Sequence, residues 1–296
     1  MSRKSFMARA AEVYLRATYG RRTADTIRKK LAELEEQTPA PYVLPRSLRL
    51  RSRVTEESVC GCQVFRMKDA AVPERAVIYL HGGSYVNQIT NFHWHACDRL
   101  AKACRAEVTV PLYTLAPYGT WKEAFELVET VYSRCRSEDP ERPVILAGDS
   151  AGGGLALALC EEFAAKGIPQ PDLTVLFSPW VDVDLDNPDI LDYVNTDPFL
   201  TPALSIYGDR WAGDLDTGCR QISPLFGDVS GLGPIALFTG TKEIAYPDIM
   251  LLADKLREAG ADFELIVGEG MCHVWPLFPV PEGRAALRRA AEIING

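Results

Sequence analysis

Ser150 stands in Gly148-Asp149-Ser150-Ala151-Gly152, a Gly-x-Ser-x-Gly pentapeptide. It lies between an apolar run, Val144-Ile145-Leu146-Ala147, and a helical stretch over 155–166. The apolar run reads as a buried parallel strand. A serine on so tight a strand-to-helix turn has its hydroxyl pushed out of the sheet, where a base can reach it. The residues two before and two after it must be small, and Gly148 and Gly152 are. The N–H of Ala151, opening the helix, would point at a developing oxyanion with the helix dipole behind it. Alone, the pentapeptide also fits a glycine-rich turn that only packs a helix on a sheet. A serine nucleophile further needs a base, an acid and a second oxyanion donor.

The chain has four histidines, His81, His93, His95 and His273. His93 and His95 are two apart on a predicted helix, so they face different ways and cannot share a metal; packing or exposure is their expected use. His273, in Glu269-Gly270-Met271-Cys272-His273, follows the last predicted strand and is the candidate base. The acid is expected between serine and histidine. Glu243 is the best placed, just past the predicted strand 235–239; Asp248, which also suits a first helical turn, and Asp182 are rivals. A carboxylate there would hold the imidazole in the right tautomer. The turn His81-Gly82-Gly83-Ser84 follows another strand and can present consecutive backbone N–H groups to a reacting carbonyl. Gly82, Gly83, Ser84 and Ala151 are the candidate oxyanion-hole residues.

The elements around these residues must bring them together. Strands are predicted over 75–80, 107–112, 173–177, 235–239 and 263–267, with helices over about 91–104, 248–259 and 282–294. Thr120-Trp121-Lys122-Glu123 is a capping box opening a helix whose Phe125, Val128, Val131 and Tyr132 face the sheet. This alternation predicts an α/β fold, a mostly parallel sheet with helices on both faces and functional residues at the carboxyl ends of strands. Residues 1–45 read as two helices, one with the apolar stripe Phe6, Ala10, Val13, Tyr14 and Ala17, ended by Pro39, Pro41 and Pro45. From Ser47 onward, Leu48, Leu50, Cys62 and Val64 suggest a pair of edge strands. The interval 182–226 is too long for a plain crossover and carries Tyr193, Phe199, Leu200, Tyr207 and Trp211. It is expected to form a lid or binding wall. Tyr85, Tyr193, Phe199, Trp211 and Trp275 are the candidate pocket residues.

Composition narrows the function classes. The 296 residues carry a net charge of −8 without a basic stripe, which argues against nucleic-acid binding. No run is long enough for a transmembrane helix, so no stable membrane insertion is expected. The start, with Arg3, Lys4, Arg9 and Arg16, lacks the apolar core of a secretory signal. A helix packed on the protein is its expected use, a transit peptide or membrane-surface helix the lesser one. The eight cysteines are scattered without a CxxC pair, as suits reduced cytoplasmic thiols rather than disulfides or zinc. No metal or cofactor is expected.

The set His81-Gly82-Gly83-Ser84, Gly148-Asp149-Ser150-Ala151-Gly152-Gly153, Ser178-Pro179-Trp180, the stretch 240–248 and Gly270-Met271-Cys272-His273 resembles the hormone-sensitive lipase branch of the α/β-hydrolase fold. This is the bacterial esterase group called alpha/beta hydrolase fold-3, and the similarity spans residue 5 to the end. The resemblance implies an eight-stranded, mostly parallel sheet with an antiparallel second strand. It implies a helical cap from residues 1–45 and an insertion at about 185–225, on a catalytic domain over 46–296. Carried over, Ser150 is the nucleophile, Glu243 the acid and His273 the base. The implied activity is hydrolysis of small or short-chain carboxylic esters. Other uses of the same triad are amide, lactone or carbamate hydrolysis or acyl transfer; a non-catalytic small-ligand receptor is a further alternative. Relatives are often dimeric, so a homodimer is admitted. Two residues depart from the family pattern: Glu243 stands where Asp is usual, which keeps Asp248 open, and Ser84 ends a motif that usually closes on glycine.

Overall fold

The computed structural model describes residues 4–20 and 22–296; Arg3 of the basic start lies outside them. The chain runs α1 (Phe6–Tyr19), α2 (Ala24–Glu35), β1 (Arg53–Val59), β2 (Cys62–Lys68), β3 (Arg75–Leu80), α3 (Asn91–Ala103), β4 (Ala106–Pro111) and α4 (Trp121–Glu138). It continues through β5 (Val144–Asp149), α5 (Ala151–Lys166), β6 (Leu173–Phe177), α6 (Ser205–Ala212), β7 (Ile235–Gly240), α7 (Tyr246–Glu258), β8 (Phe263–Gly268) and α8 (Pro281–Asn295). The strands form one sheet in the order β1-β2-β4-β3-β5-β6-β7-β8. β2 is antiparallel to both neighbours, and every other pairing is parallel. This is the α/β-hydrolase sheet, with its antiparallel second strand.

Side chains alternate across a strand, and the core follows that period. Ala76, Ile78 and Leu80 of β3 join Leu146 and Leu237 beneath α4, α5 and α7. Val77 and Tyr79 join Ala147, Phe177 and Phe238 beneath α3 and α8. All are buried, and each large one contributes on the order of 2 kcal/mol. Thr120 and Glu123 form the expected capping box, and Phe125, Val128, Val131 and Tyr132 are buried.

Two expectations are corrected. The first strand begins at Arg53, not near Leu48, because the Asp98 carboxylate of α3 takes the N–H groups of Arg51 and Ser52 and holds that segment out of the sheet. The stripe on α1 faces outward: Phe6 is 84%, Val13 67% and Tyr14 59% exposed, while Ala8 and Leu15 are buried. Polar anchors set the roll of this helix. Glu12 pairs with Lys4 and, at 2.9 Å, with Lys242, and Glu282 takes the Ser5 hydroxyl at 2.8 Å.

The N-terminal helices and the interval 182–226 meet beside the sheet. The Arg16 guanidinium donates to the carbonyls of Asn195 and Thr196, and Arg210 of α6 pairs with Glu35 at 3.0 Å.

Candidate active site

β5 delivers Ser150 at its carboxyl end with φ +51° and ψ −122°, a conformation that costs a non-glycine residue about 1–3 kcal/mol. Its neighbours permit the turn only as glycines. A Cβ on Gly148 would stand 2.3 Å from the Gly152 carbonyl oxygen, and one on Gly152 would stand 2.1 Å from that of Leu80.

The loop between β8 and α8 brings His273 Nε2 to 2.8 Å from Ser150 Oγ, and His273 Nδ1 lies 2.5 Å from Glu243 Oε2. Glu243 is fully buried just past β7. Its Oε1 accepts from Ser178 Oγ at 3.0 Å, Thr239 Oγ1 at 2.8 Å and the Gly240 N–H at 2.6 Å. Three donors on one oxygen fix the plane of the carboxylate and turn the other oxygen to the imidazole. A carboxylate only accepts, so Nδ1 carries the proton and Nε2 offers its lone pair to the serine hydroxyl. Burial would lower the His273 pKa, but Glu243, helped by the carboxylates of Asp197 and Asp149, more than offsets this and raises it above its ordinary value.

The two rival carboxylates are engaged elsewhere. Asp248 Oδ1 accepts from Asn187 Nδ2 at 2.7 Å, and burial pushes its carboxyl up to about 6. Asp182 Oδ1 accepts from the Asp184 N–H at 3.1 Å and lies 3.4 Å from Ser223 Oγ. Burial pushes the Cys272 thiol, beside the histidine, up to about 12, which keeps it neutral.

On the other side of Ser150, the N–H groups of Gly83, Ser84 and Ala151 have no acceptor among the described residues. Gly82 does not belong with them: its N–H donates to Asp149 Oδ1 at 3.0 Å, so it is already committed. Ser84 has φ +55° and Gly83 φ +140°, which turns successive amides toward one side.

Ser150 and His273 open on a cavity of about 400 Å³, whose walls include Leu15 of α1, Phe92, Phe199, Leu200, Leu277 and Phe278. Of the five aromatic candidates, Phe199 lines it. Tyr85 stacks on Trp211 at 4.4 Å, and both are buried between β3 and α6. Tyr193 packs on Tyr246 at 5.6 Å. Trp275 lies against Gly268 and donates its indole N–H to the Thr239 carbonyl at 3.2 Å. None of these four candidate rings lines the cavity. Two residues at the site, Asp197 and His93, carry no sequence motif that singles them out, whereas Asp149 stands inside the serine pentapeptide. Asp197 clips the insertion to the acid loop through the N–H groups of Phe199, Leu200 and Ile244. His93 and Asp149 line the cavity.

A family model described as alpha/beta hydrolase fold matches residues 77–277. LipR of Mycobacterium tuberculosis is 33% identical over 255 residues, covering 83% of this chain and 81% of the relative. An acetyl-hydrolase of Streptomyces hygroscopicus is 30% identical over 242 residues, covering 80% and 81%. The crystal structure of an esterase from the bacterial hormone-sensitive lipase family superposes with a TM-score of 0.84 at 27% identity, covering 99% of this chain and 98% of that one. The chain belongs to the alpha/beta hydrolase fold family, on its hormone-sensitive lipase branch.

Proposed function

We propose that the chain is a serine carboxylesterase that cleaves small, short-chain acyl esters through an acyl-enzyme on Ser150. The observation that carries this reading is the unbroken hydrogen-bond line from Glu243 through His273 to Ser150, ending at the wall of an apolar cavity. His273 Nε2 takes the hydroxyl proton as Ser150 Oγ attacks the ester carbonyl carbon. The carbonyl oxygen becomes an oxyanion among the N–H groups of Gly83, Ser84 and Ala151, where each donor contributes roughly a hundredfold or more in rate. The intermediate collapses, and His273 gives the proton to the departing alkoxide, which leaves as the alcohol. Water then repeats the sequence on the acyl-enzyme: His273 takes its proton, the carboxylic acid leaves and Ser150 is restored. Glu243 stabilises the imidazolium at both stages.

Residues 1–45 and about 185–225 act as a cap in this reading. Leu15 comes from the first and Phe199 and Leu200 from the second, and together they wall one side of a space of about 400 Å³, the size of a small-molecule pocket. The test is hydrolysis of p-nitrophenyl esters from acetate to palmitate, with Ser150→Ala as control. Activity that falls with acyl length and vanishes in Ser150→Ala supports the proposal. Folded protein that hydrolyses none of them, or a fully active Ser150→Ala, refutes it.

A further inference from the structure

Behind the oxyanion loop lies a buried network that the triad does not use. Asp149 Oδ1 accepts from the Gly82 N–H at 3.0 Å and the Tyr79 hydroxyl at 2.7 Å. Its Oδ2 lies 3.2 Å from His93 Nε2. His93 Nδ1 takes the Thr90 N–H at 2.9 Å. A backbone amide only donates, so Nδ1 is bare, the ring is neutral, and its proton sits on Nε2, aimed at Asp149. His93 and Asp149 are buried, at 7% and 2% exposure.

The loop in front needs such a support. Gly82 and Gly83 have no side chains to pack, and glycine backbone is soft. The Gly83 carbonyl is held from one side by the N–H and the side-chain amide of Asn87, both at 2.8 Å. The Gly82 N–H is held from the other side by Asp149. A Cβ on Gly82 would stand 2.3 Å from Asp149 Oδ2, so carboxylate and loop are in direct contact.

We propose that His93 is a positioning residue of the ester hydrolysis. Its Nε2–H fixes the Asp149 carboxylate, which holds the Gly82 N–H and thereby aims the amides of Gly83 and Ser84 at the oxyanion. This rests on the esterase reading above. His93 does not touch the reacting atoms; it acts through the direction of two hydrogen bonds that strengthen in the transition state.

The experiment compares wild type, His93→Leu and His93→Gln as full-length protein. It reads kcat and KM on p-nitrophenyl acetate, inhibition by an alkyl trifluoromethyl ketone (which forms a tetrahedral adduct with a reactive serine) and the melting temperature. His93→Leu is expected to lower kcat about ten- to a hundredfold with KM within about twofold, and to weaken the ketone by a similar factor. His93→Gln, whose amide can donate near the Nε2 position, is expected to regain most of the loss. A raised KM at unchanged kcat, unchanged ketone inhibition, or a glutamine variant no better than leucine would overturn the proposal. The ring-nitrogen chemical shifts of His93 in wild type give a reading that no variant's folding can obscure. A bare Nδ1 and protonated Nε2 are required, and the opposite tautomer overturns the network. Those shifts are measured without turnover, whereas wild type that hydrolyses no ester removes the esterase reading itself.

Discussion

Replacing Glu243 by glutamine is the sharpest test of the triad, because the structure dictates how the new amide must sit. Gly240 N–H, 2.6 Å from Oε1, can only donate. Turning an NH2 group toward it would set donor against donor in a site with no exposure. The amide oxygen therefore stays on the side of Ser178, Thr239 and Gly240, and the NH2 faces His273 Nδ1. The imidazole must then accept at Nδ1 and carry its proton on Nε2, facing Ser150 Oγ, which loses its base. The same tautomer error in a Ser-His-Asp hydrolase costs about 10⁴ in kcat, or about 5 kcal/mol of transition-state stabilisation. The assay is kcat and KM on p-nitrophenyl acetate, with the melting temperature to show that the fold is kept. A folded Glu243→Gln variant within about tenfold of wild type would refute the reasoning. Asp248→Asn is the companion: its carboxyl faces Asn187, so kcat should stay within about twofold. If that variant is the damaging one, the acid is misassigned.

Other consequences can be measured directly. His273 must be neutral to take the serine proton, and its pKa is raised from 6.5, so the acid limb of kcat/KM should lie above that value. A limb below 6.5 would contradict the Glu243 contact. Gly152→Ala drives a Cβ into the Leu80 carbonyl and should cost about 3 kcal/mol or more, read as a lower urea midpoint; an unchanged midpoint would mean that α5 can shift away. Glu161 of α5 is 2% exposed, neither of its carboxylate oxygens has a hydrogen-bond partner among the described residues, and burial pushes its pKa from 4.5 to about 9. The folded state then holds a proton that the unfolded chain releases, so stability falls as pH rises from 4.5 to about 9, and the cost is absent below that window. Glu161→Gln should therefore add about 3 kcal/mol at pH 7 and flatten that slope; a parallel slope in the variant would refute it.

The meeting of Ser150, Glu243 and His273 is legible in the sequence because local patterns at strand ends carry it. Ser150 lies in a turn whose steric demands are met within five residues. Glu243 and His273 follow strands with clear apolar runs. What escaped the sequence depends on partners far away in the chain. Whether Gly82 is a free donor is decided by a carboxylate 67 positions on, and the use of His93 is decided by the same carboxylate 56 positions on. The roll of α1 follows from an ion pair spanning 230 positions, so a correct apolar period still left open which face turned inward. Four of the five aromatic candidates lie away from the cavity for a related reason. A large ring fills a core gap as readily as it walls a pocket, and Tyr85 and Trp211 satisfy each other.

The first turn of α5 is bare backbone clasped by its surroundings. A Cβ on Gly153 would stand 2.9 Å from the Pro179 side chain, and one on Gly154 would stand 2.1 Å from the Trp180 carbonyl oxygen. Ser150 and the segments that flank it are therefore packed backbone against backbone, with no room for a side chain between them. Part of the cavity wall, Leu15 of α1 and Phe199 and Leu200 of the interval 182–226, comes from other stretches, and these are joined to each other through Arg16 and the Arg210–Glu35 pair. The molecule is thus built as a fixed tool with an exchangeable holder. Changing Leu15, Phe199 or Leu200 should change which ester is admitted while the speed of bond-breaking on the smallest ester stays the same. Selection for new substrates in this scaffold can work on the holder without disturbing the tool.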